Sequence, residues 1–156
     1  MRLGHTGVAL ALCATGLVAG CAGTGPADGL HAPEGHWQIV DHRLAPIAAM
    51  DDTEAESWYG RTLEFRSGSA RLPEKRCIQP IYEHRLVEPE AYFGEADDVR
   101  AEVVRDLRRS DGLLQVTEVI CEGRTADTVG GTLLWINENR AMTPWGGVLF
   151  GLELRQ

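Results

Sequence analysis

The sequence has little positive charge, few cysteines and no long apolar run. Its 15 Lys and Arg stand against 23 Asp and Glu, which gives a formal net charge of −8. That balance excludes the basic surface with which nucleic-acid-binding proteins meet phosphate groups. The apolar stretches are shorter than the roughly 20 residues of a transmembrane helix. Hydrophobic residues nevertheless make up 44% of the 156 residues, so the chain is long and apolar enough for one folded domain.

Motifs for catalysis or metal binding are also lacking. The chain has no G-x-S-x-G elbow, no P-loop and no H-E-x-x-H pair. Glu83 and His84 could form an acid–base pair, but alternating charges around a single histidine are more typical of a solvated strand face. The carboxylates between residues 88 and 106 do not follow the spacing of a calcium loop. We therefore predict no catalytic residue, no metal site and no cofactor.

The N-terminus has the pattern of a secretory signal. A single charged residue, Arg2, precedes the uncharged apolar residues 7–20. The residues Val18-Ala19-Gly20-Cys21 resemble the lipobox of bacterial lipoproteins, and this resemblance implies cleavage before Cys21 and acylation of Cys21 with lipid chains such as palmitate. Ala22, after the cysteine, favours the outer membrane by the same resemblance. An ordinary secretory signal or a buried apolar helix are the alternatives.

Three segments follow from this pattern. Residues 1–20 form the signal peptide, and residues 21–35 are rich in Gly, Ala and Pro, as expected of a flexible, lipid-anchored tether. Residues 36–156 form a single β-rich globular domain. The predicted localisation is the periplasmic side of the outer membrane, with the lipid as the contact to the membrane.

The domain is predicted to be mainly β (α+β), a small antiparallel β-barrel-like fold of about eight strands with two short helices. The first helix begins at a capping box, Asp51 to Glu54, and ends at Gly60. The second helix covers about residues 96–109, where apolar residues recur at helical spacing. Strands are predicted where apolar residues alternate or β-favouring residues run together: residues 37–42, 62–66, 70–72, 82–87, 113–121, 132–136, 140–143 and 148–154.

Two cysteines remain for the folded domain. Cys13 leaves with the signal peptide and Cys21 is the predicted lipid site, so Cys77 and Cys121 are left in an oxidising compartment. We predict a disulfide between them. A metal site that combines both cysteines with His84 and another histidine is the alternative, although the chain lacks the C-x-x-C or H-x-x-x-H spacing typical of such sites.

The ends of the domain resemble lipocalin-like (calycin) barrels. Gly35 and Trp37 form a G-x-W start, and Arg155 lies at the end of the last predicted strand. In that family the tryptophan packs against a basic side chain from the last strand, and a small apolar ligand occupies the barrel. The same start, length and single disulfide are also similar to bacterial inhibitors of secreted metalloproteases. Trp37 is alternatively a simple core aromatic residue.

The function expected from these features is non-enzymatic. We expect a lipoprotein of the outer membrane whose periplasmic domain binds a small apolar ligand or an envelope protein, or has a structural role in the envelope. An inhibitor of a secreted or periplasmic protease or hydrolase is the alternative.

Overall fold

The computed structural model describes residues 29–94 and 98–156. Within these residues the chain forms ten strands and three short helices. In chain order they are β1 (Gly35–Leu44), α1 (Asp52–Glu56), β2 (Thr62–Arg66), β3 (Ser69–Arg71), β4 (Arg76–Ile78), β5 (Ile81–Val87), α2 (Pro89–Phe93), α3 (Asp98–Leu107), β6 (Leu114–Cys121), β7 (Arg124–Thr125), β8 (Thr132–Asn137), β9 (Arg140–Trp145) and β10 (Val148–Arg155).

All strands join one antiparallel sheet that curls into a half-barrel, as predicted from the sequence. The strand order is β4-β3-β2-β1-β10-β9-β8-β6-β5, and the short β7 pairs with β6 outside this path. The first and last strands therefore lie side by side at the middle of the sheet, where Trp37 is opposite Leu154 and Ile39 is opposite Leu152. The last long strands, β6, β8, β9 and β10, are neighbours in the sheet in chain order and form a meander.

Aromatic side chains fill the concave face of the sheet. Trp37, Phe65 and Phe150 are each at most 1% exposed, and Trp135 is 2% exposed. The ring of Trp58, in the turn after α1, packs 5.5 Å from the ring of Phe150. This inner cluster occupies the place at which an open barrel would hold a ligand.

A second cluster covers part of the convex face. Val103 and Leu107 of α3 pack against Leu114 and Val116 of β6 and against neighbouring residues of β8 and β9. The alternate residues of β6 face the inner cluster instead, so this strand is buried on both sides. That double burial explains why its sequence is a continuous β-favouring run.

The helices differ in part from the sequence prediction. α1 begins with the predicted capping box, in which Asp51 accepts from the Glu54 amide and the Glu54 side chain accepts from the Asp51 amide. It ends at Glu56, and the chain continues to Gly60 as a turn. α3 ends at Leu107, close to its predicted end, and α2 was not expected. None of the helices in the described part of the chain is long and apolar enough to cross a membrane.

The segment before β1 lies against the sheet. The backbone N–H of His31 donates to Oε1 of Gln115 at 2.9 Å, and Nε2 of Gln115 donates to the His31 carbonyl at 2.7 Å. The His31 ring lies 5.4 Å from the ring of Trp135. Residues 29–34, which the sequence assigns to the tether, are thus attached to β6 through a side chain 84 positions away; we refer to them as the N-terminal strap.

Candidate functional site

The two domain cysteines meet as the sequence predicts. Cys77 on β4 and Cys121 at the end of β6 form a disulfide whose Cα atoms are 5.6 Å apart, within the usual range for such bonds. Across residues 29–94 and 98–156, no group of three or more His, Cys, Asp or Glu side chains is placed to hold a metal ion. Cys13 and Cys21 lie outside the described residues, so the predicted lipid site has no structural account.

The residues that carry the resemblance to calycin barrels lie at the start of β1 (Gly35 and Trp37) and at the end of β10 (Arg155). Gly35 has φ +131°, and a Cβ there would approach Cδ1 of Leu154 to 2.6 Å. Trp37 is buried, with its ring 5.6 Å from Trp135 and its Nε1 donating to the carbonyl of Pro33 at 2.8 Å. Arg155 is opposite His36 in the register, which places it on the other face of the sheet. Leu154 and Trp135 therefore take the place beside Trp37 that the resemblance gives to Arg155.

His84 faces a small cleft rather than bulk solvent alone. Its Nδ1 lies 2.8 Å from the Thr117 hydroxyl, which also accepts from Nε1 of Trp135. Burial lowers the pKa of His84. The cleft, of about 130 Å³, also borders Glu34, Ser67 and Tyr82. No hydrogen bond joins His84 to Glu34 or Ser67 among the contacts of the described residues, so the geometry gives no acid–base pair.

A histidine that the sequence does not single out is the best connected in the fold. His42 lies on β1 with a side chain only 7% exposed. Its Nε2 is 3.0 Å from Oδ1 of Asp52, and its Nδ1 is 2.8 Å from the Tyr59 hydroxyl. Because a carboxylate only accepts, Nε2 of His42 donates to Asp52. Burial, with nearby acidic groups, raises the pKa of Tyr59. The cluster fastens both ends of the α1 segment to the sheet.

An apolar concavity lies on the convex face, between the helices and the hairpin of β9 and β10. Its volume is about 260 Å³, and we call it the Arg43 groove. Its lining comes from four separate segments: Arg43, Leu44, Ala45 and Pro46; Tyr92 and Phe93; Val103; and Pro144, Gly147, Val148 and Leu149.

Two backbone hydrogen bonds shape the mouth of the groove. The Ala45 amide donates to the Gly147 carbonyl at 2.8 Å, and the Ala49 amide donates to the Gly146 carbonyl at 2.7 Å. Gly147 has φ +77°, and a Cβ there would lie 2.5 Å from the Ile47 carbonyl oxygen. The hairpin turn thus requires glycine, and it holds the loop with Ile47, which is 91% exposed, beside the groove.

Arg43 is the only charged residue in this lining. Its Nη2 donates to Oδ2 of Asp106 at 2.7 Å, which ties β1 to α3. Its Nη1 is buried and has no hydrogen-bond partner in the described structure. A buried donor without a partner costs free energy, more so in a charged group. The Arg43 side chain as a whole is 32% exposed, so its charge is available at the edge of the groove.

A larger depression of about 410 Å³ lies on the other side of α2. Pro89, Phe93 and Val104 form its apolar floor, with Arg105, Arg108 and Arg109 around it. Its lining includes Gly94 and Ala101, on either side in sequence of residues 95–97, which are outside the described part of the chain. The Arg43 groove, in contrast, is enclosed entirely by described residues.

Comparison of the chain with protein-family models, with curated proteins and with solved structures finds no match.

Proposed function

We propose that this protein is a non-enzymatic binding module, anchored by lipid on Cys21 at the periplasmic side of the outer membrane. The support for the anchor is the N-terminal sequence pattern, with its short charged region, apolar stretch and lipobox-like residues. The support for binding is the Arg43 groove, whose lining offers apolar contacts and one partly exposed guanidinium group. Such a lining suits a ligand with an apolar body and an acceptor atom.

The size of the groove sets the scale of the ligand. A cavity of about 150 Å³ is known to hold benzene, so about 260 Å³ suits a body of roughly ten non-hydrogen atoms. The filled inner face leaves the convex face as the place for binding, in contrast to the ligand position that the calycin resemblance implies.

Octanoate is a suitable probe for the groove, with 1-octanol as its neutral counterpart. Titration into the mature protein labelled with ¹⁵N should shift the amide signals of Arg43, Ala45 and Leu149 in a saturable way. Ala45→Trp should fill the groove and abolish the shifts, whereas Ser110→Trp, at an exposed position outside the lining, should leave them. If neither probe causes saturable shifts, or if Ala45→Trp binds as well as wild type, the groove is not the binding site.

The anchor is tested separately. Cys21→Ser should abolish incorporation of labelled fatty acid and move the protein from the membrane fraction to the soluble fraction. Unchanged membrane fractionation would contradict the lipoprotein assignment while leaving the groove experiment unaffected.

The alternative function, inhibition of a protease or hydrolase, is favoured by one feature. Ile78 and Ile81 are 78% and 65% exposed on a tight turn beside the disulfide. Gln79, between them, has φ +52°, and its amide donates to the Gly68 carbonyl at 3.0 Å. This turn presents two exposed apolar side chains and is tied to the chain at Gly68 by a backbone hydrogen bond, features that suit an inhibitory loop. Ile78→Ser should weaken inhibition of envelope proteases by the mature protein, whereas Ile47→Ser should not; an absence of inhibition by wild type would exclude this function.

A further inference from the structure

The strand β5 ends the sheet. Its only strand partner in the described residues is β6, which it meets along its whole length. The backbone groups along its other edge have no backbone partner within residues 29–94 and 98–156. A seven-residue open edge of this kind is a template for pairing with a further strand.

The β5 sequence, IYEHRLV, is chemically symmetric about its centre. On either side of His84 stand a carboxylate and a guanidinium, Glu83 and Arg85. The next positions out, Tyr82 and Leu86, are both large and apolar in body, and the outermost positions are both β-branched and aliphatic. An antiparallel pair of two such strands therefore places every residue opposite a complementary one, except His84, which faces the same residue of the other copy.

We infer that a second copy of this chain pairs with the first through β5, antiparallel, about a two-fold axis at His84. Glu83 of each copy then lies opposite Arg85 of the other, and Ile81 lies opposite Val87. Residues directly opposite each other share one face of the sheet, and opposite charges there attract. A contact of this kind uses the same surface on both copies and closes with two chains.

The charges within one copy support this pairing. Glu83 is directly opposite Glu118 of β6, and like charges at opposite positions are unfavourable. Arg85 of the same copy is hydrogen-bonded to Glu118. In the dimer, Arg85 of the second copy would lie next to Glu83 and offset the repulsion from Glu118. Charged residues commonly protect a sheet edge from pairing. Here they would instead fix the register, because each charge lies opposite a charge of the other sign.

Exposed apolar side chains on β5 also support pairing with a second copy. Ile81 and Leu86 are 65% and 42% exposed, among the most exposed large hydrophobic residues in the described chain. Pairing would cover part of both. One added strand pair is a small interface, so we expect a weak dimer in solution, strengthened wherever both copies are held in one membrane.

A cysteine on the two-fold axis provides the most direct test. In an antiparallel pair, facing Cα atoms lie about 4.5–5.5 Å apart, within disulfide range. His84→Cys in the mature protein should therefore form a disulfide-linked dimer under mild oxidation, whereas Ser110→Cys, exposed in the turn after α3, and wild type should not. Equal crosslinking of His84→Cys and Ser110→Cys would overturn the inference.

Charge reversal tests the register independently. Glu83→Arg places two pairs of like charges across the dimer and should raise the dimer dissociation constant by roughly tenfold, measured by sedimentation equilibrium. The same change puts opposite charges at positions 83 and 118 within one copy, so folding stability should not fall. The double variant Glu83→Arg/Arg85→Glu should restore dimerisation. Dimerisation that is unchanged in Glu83→Arg, or not restored in the double variant, would overturn the proposed register.

Discussion

The disulfide between Cys77 and Cys121 joins the two ends of the curled sheet. Cys77 lies on β4, the strand at one end of the order, and Cys121 lies on β6, which is next to the strand at the other end. No hydrogen-bonded strand pair connects these ends within residues 29–94 and 98–156. The hydroxyl of Tyr82 adds one contact across the same seam by donating to the Arg66 carbonyl at 2.8 Å.

Removal of the disulfide should destabilise the domain strongly. The two cysteines are separated by 44 positions, and closure of a loop of that length contributes about 3–4 kcal/mol through the entropy of the unfolded chain. Cys77→Ala/Cys121→Ala should lower the free energy of unfolding by about that amount in urea titrations. A loss below about 1 kcal/mol would mean that the unfolded chain is already restricted in this region.

The N-terminal strap should detach when its partner on β6 is shortened. Gln115 is 1% exposed, and both polar atoms of its amide are used by His31. Gln115→Ala should destabilise the protein by about 2–3 kcal/mol, since two hydrogen bonds and buried volume are lost. Hydrogen exchange at the His31 amide should accelerate. Gln38→Ala, which removes a half-buried side chain whose hydrogen bond goes to the Gly60 carbonyl, is the control and should have little effect on that amide.

Alternating and doubly buried strands were the parts of the fold accessible from sequence. Leu63 and Phe65 point inward from β2, as their spacing predicts, and the long apolar run of β6 is buried on both faces. The capping box at Asp51 and the single disulfide also follow from local pattern and from the count of cysteines.

Structural features that depend on contacts between residues far apart in the sequence leave no local sequence pattern. The helix α2 has five residues, too few for a helical apolar stripe. It packs through Tyr92 and Phe93 against the second cluster, which covers part of the convex face. The sequence of the N-terminal strap is typical of a linker, because the contacts that fix its conformation come from the distant residue Gln115. The Arg43 groove combines four segments whose proximity is set by the sheet order, so no single stretch of sequence predicts it.

Trp37 should be among the residues most important for stability. Its ring is 1% exposed and packs edge-on against Trp135. Trp37→Ala should cost about 3–5 kcal/mol through loss of buried area and formation of a cavity. Trp37→Phe keeps an aromatic ring but removes the hydrogen bond to Pro33, and should cost less. Chemical denaturation of both variants measures the change in the free energy of unfolding. A negligible effect of Trp37→Ala would place the ring outside the hydrophobic core.

The free energy of unfolding should decrease as the pH is lowered, because His84 becomes protonated. Burial lowers the pKa of His84 in the folded state, whereas in the unfolded chain the pKa is near the ordinary value of about 6.5. Between these two values the unfolded chain binds more protons, so the stabilising contribution is fully present above about pH 6.5 and is lost as the pH falls through the folded pKa. Urea midpoints measured at about pH 7.5 and about pH 5.5 should therefore fall less for His84→Gln than for wild type. His36→Gln, at a side chain that is 60% exposed, is the control variant. If His84→Gln loses as much stability as wild type on acidification, another group is responsible for the pH dependence, since the glutamine does not titrate.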